Sequence, residues 1–231
     1  DISRYGWELA VGGADEYVRF DASTKGDSAT EDYRNEPNTF GWMVEIDPYD
    51  PTSKPIKRTA MGRFKHEGSA YRVADNGQIA CYMGDDQRFA YIYKYLSARP
   101  WEAMIAEGVS PLDEGTLFAA KFNEDGTGEW LELSPNNPNI VSYSTLEEIL
   151  VFARVAADEA GATPMDRPEW TATAPDGTIY VTLTNNSQRQ EPNAANPLAP
   201  NADGHIIRFR DDDVTGNSFD WEIFLIAEDT H

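Results

Sequence analysis

Residues 65–86 read KHEGSAYRVADNGQIACYMGDD. Two β-type runs, GSAYRVA and QIACYMG, flank the dipeptide Asn76-Gly77, a sequence suited to the tight turn of a hairpin. Lys65, His66 and Glu67 stand at the open end of that hairpin, beside Asp85 and Asp86. The pattern recurs 100 residues later: APDGTIYVTLTNN at 174–186 aligns without a gap with ADNGQIACYMGDD at 74–86. Both give turn, strand and paired side-chain oxygens, and a glutamate opens the strand upstream of each, Glu67 in KHEG and Glu169 in RPEW. A strand, an Asx-Gly turn and a second strand, followed by two more strands, is the unit of a propeller blade, where radial repetition protects sheet edges. The expectation is an all-β fold, a partial β-propeller of roughly two to four blades, forming one domain over 1–231.

The remaining segments agree with that class. TFGWMVEID, PIKRTAMGRF, FAYIYKYL, TLFAAKF, GEWLEL, EWTATA, HIIRF and FDWEIFLI are rich in Val, Ile, Thr and aromatic residues, and EDGTG and PDG punctuate them. STLEEILVFARVAADEAGA at 144–162 differs, with Leu146, Ile149, Leu150, Ala153 and Val155 at helical spacing. Ser144 or Thr145 can cap it and Gly161 ends it, so one inserted α-helix is predicted near 144–160. Residues 21–39 and 187–203, rich in Asn, Pro, Ser and Asp, read as long loops.

Forty acidic against nineteen basic side chains give a formal charge of −21, which repels nucleic acid and leaves no basic stripe for phosphate backbones. No window is apolar for long enough to span a bilayer. The single cysteine, Cys81, excludes an intrachain disulfide and a multi-cysteine zinc site, and its setting in QIACYMG predicts a buried thiol. The three histidines, His66, His205 and His231, lack the helical spacing of a zinc hydrolase. No nucleophile elbow or phosphate-binding glycine loop occurs.

In a propeller, residues opening the innermost strands and loops joining the second strand to the third face one mouth of the channel. Glu67, Asp85, Asp86, Glu169, Asn185 and Asn186 would then converge as hard oxygen donors of the kind calcium takes in sets of about six to eight. From pattern alone they remain either such ligands or polar loop ends with surface glutamates. Lys121 in AAKF and Arg167 in MDRPEW are cations in strand contexts. Arg167 lies two residues from Glu169, a spacing that on one strand shares a face.

NTFGWMVEIDPYDPTSKPIKRTAMGRFKHEG, YMGDDQRFAYIYKYLS, GTLFAAKFNEDGTGEWLEL, MDRPEWTATAPDGTIYVTLTNNS and NPLAPNADGHIIRFRDD resemble, in order and spacing, the PhoX-type alkaline phosphatases. The resemblance runs from about residue 38 to 227. It implies a β-propeller phosphomonoesterase that uses iron and calcium, is exported by the twin-arginine route to the periplasm or outside the cell, and acts on small phosphomonoesters. By the same resemblance Glu67, Asp86 and Glu169 are metal ligands, and Lys121 and Arg167 face the metals and phosphate. Asp85, Asn185 and Asn186 rest on the internal repeat. The family's iron-binding cysteine belongs to a Cys-Glu-Glu-Asn type segment that this sequence lacks, so Cys81 does not inherit that role. The chain reads as an internal piece, inactive alone, whose partners are the remaining blades of the intact protein. Two rival readings use the same oxygens: a noncatalytic calcium-stabilised binding module, and a calcium-dependent lactonase-type hydrolase.

Overall fold

The computed structural model describes residues 25–28 and 30–227. Where a single domain was expected, the chain divides into two compact units, residues 1–41 and 42–231. In the first, a 3-10 turn spans Glu36–Thr39 and Arg34 pairs with Asp32. Part of the predicted 21–39 loop, residues 21–24 and 29, lies outside the described residues.

The second unit opens with a minimal hairpin, β1 (Val44–Glu45) with β2 (Ile56–Lys57). The first blade follows: β3 (His66–Val73), β4 (Ile79–Asp85), β6 (Ile92–Ser97), β7 (Gly115–Phe122) and β8 (Thr127–Glu132), each antiparallel to the one before. Between β4 and β6, β5 (Arg88–Ala90) turns away to pair with β9 (Met165–Asp166). The second blade comprises β10 (Pro168–Thr173), β11 (Ile179–Leu183), β12 (His205–Arg210) and β13 (Ser218–Ile226). β13 returns to pair with β8, Ser218 opposite Glu129 and Phe219 opposite Gly128, so both blades belong to one nine-stranded sheet. Gly128 permits that junction, because a Cβ there would stand 2.2 Å from the Phe219 ring.

The repeat seen in the sequence is real in detail. In both hairpins the same hydrogen bonds close the turn: Gly77 N–H to Ala74 O and Ala74 N–H to Gln78 O, then Gly177 N–H to Ala174 O and Ala174 N–H to Thr178 O. Asn76 and Asp176 each accept the backbone N–H two residues on, and Gly77 and Gly177 sit at φ 84° and 85°, where a side chain is strained. The offset of 100 holds along the ladder, Tyr71–Cys81 and Val73–Ile79 matching Thr171–Val181 and Thr173–Ile179, and at the open end Glu67 opposite Gly84 is matched by the Thr184 N–H bond to the Arg167 carbonyl. One pairing from the sequence is thereby corrected. Arg167 occupies the place equivalent to Glu67, and Glu169 that of Ser69.

Two cores arise because strand residues alternate between faces. Ala80 and Tyr82 of β4 face the second blade and pack with Phe118, Trp130, Ile179, Val181, Leu183, Ile207, Phe209 and Phe219. Trp130 lies 4.7 Å from Phe219 and 5.7 Å from Phe209, ring contacts worth about 0.5–1.5 kcal/mol each beyond burial. A fully buried ion pair pins the same seam. Lys94 donates to Asp211 Oδ2 (3.1 Å) and to the Val214 and Gly216 carbonyls, and the Tyr82 hydroxyl donates to the same carboxylate at 2.7 Å. Burial pulls the Lys94 ammonium down and pushes the Asp211 carboxyl up from their usual ranges.

Cys81 and Met83 point the other way, into a second core roofed by helices. The predicted helix forms but breaks at Phe152 into α2 (Leu146–Val151) and α3 (Ala153–Ala160), after the short α1 (Trp101–Ala106), which the sequence reading lacked. Thr145 and Glu148 make a reciprocal capping box, and Gly161 ends α3 in the left-handed conformation. The break turns Ile149, Ala153, Ala156, Ala157 and Ala160 into the core and leaves Leu146 and Val155 exposed. The 187–203 segment is a loop, held by isolated pairings of Asn186 with Asn201 and Asn193 with Asn196.

Candidate active site

At one end of the seam the inner strand of the second blade lies across the β3–β4 hairpin of the first. The Thr171 hydroxyl donates to the Tyr82 carbonyl at 3.0 Å. Gly84 makes this approach possible: a Cβ there would stand 2.6 Å from Glu169 O and 2.7 Å from Pro168 O, both backbone atoms. Glu67 is registered opposite Gly84 and shares its face, and Asp86 follows two residues later. The Asp86 N–H donates to the Lys65 carbonyl at 3.0 Å, which joins the backbones at the two open ends of the hairpin.

Arg167 joins the blades there. It has φ +56°, a left-handed backbone uncommon for a residue with a side chain. Its Nη2 donates to Asp86 Oδ2 (3.0 Å) and Glu169 Oε1 (3.3 Å), and its Nη1 donates to Asn185 Oδ1 (3.4 Å). Nε lies 2.8 Å from Asp86 Oδ1, but its N–H does not point at that oxygen, which is buried and accepts no hydrogen bond. That oxygen is held by charge contact alone, which leaves its lone pairs open to a hard cation. The oxygens of Asp86, Glu169 and the Asn185 amide, all gathered on Arg167, are donors of the type calcium takes. These residues do not close a cage by themselves. Among the described residues no group of three or more His, Cys, Asp or Glu side chains is disposed to hold a metal ion.

Three residues expected at this site are not brought to it. Asp85 points to the opposite face from Asp86, as strand alternation requires. It is fully buried, receiving Arg154 Nε at 2.6 Å, Arg154 Nη2 at 2.5 Å and the Lys65 backbone N–H at 3.1 Å. Asn186 is also buried, its amide donating to Asp166 while its oxygen accepts the Gln188 N–H. Lys121 lies two strands farther out, on the same side of the sheet as Ala119 and the helices, and its ammonium donates to Glu129 at 2.9 Å. A common rule explains the divided pairs. Like blades stack front to back, so even-numbered residues of β4 meet odd-numbered residues of β11. One member of each pair, Asp86 and Asn185, therefore reaches the site.

The histidines are structural where described. His66 stacks on Phe64 at 3.7 Å and its Nε2 bonds Gly62 O at 3.0 Å. Burial, with the nearby Arg154 charge, brings its pKa down to about 4. His205 is buried between Asn201 and the Ala195 carbonyl. Cys81 is a buried thiol, pushed up to about 11 by burial. His231 lies outside the described residues. Sequence reasoning missed Arg154, Asp166 and Arg189, because each finds its partner through tertiary packing at long separation or inside a polar loop.

The two blades thus present, at their seam, an arginine flanked by the carboxylates of Asp86 and Glu169. The family description Alkaline phosphatase PhoX matches residues 1–231, and the chain belongs to that family. A solved structure of Pseudomonas fluorescens PhoX in complex with vanadate, a transition state analogue, is 41% identical with a TM-score of 0.79. The match covers 90% of this chain and 38% of that one, so the sequence spans well under half of its relative. Comparison with the curated proteins gave no match.

Proposed function

We propose that this chain supplies one wall of the active site of a phosphomonoesterase, with Arg167 as the phosphate-binding group and Asp86, Glu169, Glu67 and Asn185 around it. The observation that carries the reading is Arg167 bridging two blades through Asp86 and Glu169, in a chain of the PhoX family. Phosphoryl transfer spreads charge over three equatorial oxygens, so catalysis rests on positioning and on cationic neutralisation. A guanidinium has five N–H donors in a fixed plane and can grip two phosphate oxygens at once. Asp86 and Glu169 hold that plane in place before substrate arrives, which limits reorganisation during the reaction.

Iron and calcium are the cofactors of this reading; Asp86, Glu169 and Glu67 are the ligands this chain offers, and the ions would supply Lewis-acid stabilisation of the phosphoryl oxygens. The partners are the remaining blades, since the outward face of the second blade carries exposed Trp170 and an exposed Phe224 packed edge-on to Tyr180. Export to the periplasm or beyond belongs to the same reading. No described helix is long and apolar enough to cross a membrane.

The test uses the full-length protein supplied with iron and calcium, assayed on a phosphomonoester and on a lactone. Phosphate release that falls at least a hundredfold in Arg167→Ala, with the fold intact, is the expected result. Lactone hydrolysis without phosphate release, or an Arg167→Ala enzyme as active as its parent, would overturn the proposal.

A further inference from the structure

Asp86 and Arg167, the two residues that meet across the seam, are each preceded by a fully buried aspartate, and each of those aspartates is held by an arginine from a distant segment. Behind Asp86, Asp85 takes a two-point grip from Arg154 of α3, 69 residues away. Arg154 also donates to Gln87 Oε1 (2.9 Å), which in turn accepts Lys65 Nζ at 2.8 Å. The Asp86 N–H donates to Lys65 O at 3.0 Å, so Arg154 braces both strands that carry Asp86 and Glu67. Behind Arg167, Asp166 Oδ1 accepts Arg189 Nε (2.6 Å) and the Asn186 amide (2.9 Å), while Oδ2 accepts the Asn201 amide at 3.0 Å. Arg189 Nη2 donates onward to the Pro164 carbonyl, and Thr184 N–H donates to Arg167 O. The β5–β9 ladder pairs Arg88 with Asp166 and so ties one brace to the other.

We propose that Arg154 and Arg189 are positioning residues. By locking the buried neighbours of Asp86 and Arg167 they fix the direction in which those two side chains leave the backbone. The argument is geometric. Adjacent strand residues point to opposite faces, so a carboxylate clamped behind the sheet fixes the rotation of the strand about its axis and hence the aim of the next residue. At Arg167 the backbone is left-handed, a conformation that persists only where its surroundings over-determine it, and the Asp166 network does so. Arg189 is buried and Arg154 half-buried against their aspartates, and the guanidinium of Arg167 donates instead to Asp86, Glu169 and Asn185.

This inference rests on the phosphatase reading for its kinetic arm only. The variants are Arg154→Lys and Arg189→Lys in the full-length protein, which keep the charge but replace a planar fork with a single point. Each is expected to lower phosphomonoester kcat/KM at least tenfold while melting cooperatively. In an Asp86→Asn background the Arg154→Lys factor should shrink below threefold, and in an Arg167→Lys background the Arg189→Lys factor should do the same, because the brace acts through the residue already changed. Equal factors in both backgrounds, or no loss at all, would overturn the proposal. If Arg154→Lys does not melt cooperatively, the double change Asp85→Asn with Arg154→Gln, which leaves no buried charge unpaired, takes its place. Hydrogen exchange supplies the arm that needs no activity: amides of 84–90 and 165–167 should exchange at least tenfold faster in the respective variants. Unchanged exchange refutes positioning even if the parent enzyme hydrolyses phosphoesters. A parent that releases no phosphate, with faster exchange in the variants, refutes the phosphatase reading and leaves the brace standing.

Discussion

Gly84→Ala is the smallest change that addresses the joint between the blades. Its Cβ would stand 2.6 Å from the Glu169 carbonyl oxygen, 2.7 Å from that of Pro168 and 2.8 Å from the Pro168 carbonyl carbon. Ordinary Cβ contacts begin at 3.4 Å, and all three obstacles are backbone, so β10 must retreat from β4 by roughly 0.8 Å. The retreat carries Glu169 and Arg167 away from Asp86. Overpacking of this kind costs about 1–3 kcal/mol of stability, and a displacement of about 1 Å in a catalytic array costs on the order of a hundredfold in rate. Gly115→Ala is the control. It meets the Leu96 carbonyl at 2.4 Å, but at the far end of β7 from the site, so it should lose comparable stability with little loss of turnover. Phosphomonoester kinetics and thermal melts on the full-length protein compare the two. A Gly84→Ala enzyme within twofold of its parent, or a Gly115→Ala enzyme equally impaired in turnover while folded, would refute the claim that close backbone approach at Gly84 sets the site.

Glu67→Gln in the full-length protein, nearly isosteric but neutral, is expected to lower bound calcium and turnover together, as read by metal analysis beside the kinetic assay. Cys81→Ser should instead lower the melting temperature with metal content unchanged, since the thiol is buried in the helix-side core. Lys94→Met leaves Asp211 buried without its cation and is expected to cost about 3–5 kcal/mol in denaturant unfolding. Adding Asp211→Leu should recover most of that loss, because no ion then remains unpaired in the seam.

The sequence by itself determined the repeat, and through it the class of fold. Local rules sufficed: alternating apolar residues around an Asx-Gly turn make one hairpin, and the same phrase 100 residues later makes its equivalent, with matching turn bonds. The Thr145 cap and Gly161 stop were legible for the same reason, being set by residues within one or two turns of helix. The repeat offered Asp86 and Asn185 among six candidate oxygens, and only the resemblance placed Arg167 beside them. Which oxygens of the Asp85-Asp86 and Asn185-Asn186 pairs reach the site was decided by tertiary structure. Equivalent blades stack front to back, so the face that is inward on one is outward on the next, and each pair is divided between site and core. The left-handed turn at Arg167, the break at Phe152 and the clamps from Arg154 and Arg189 belong to the same category. The clamps depend on groups 20 or more residues apart in sequence meeting in the folded chain, and no local pattern of residue types encodes which of them will meet.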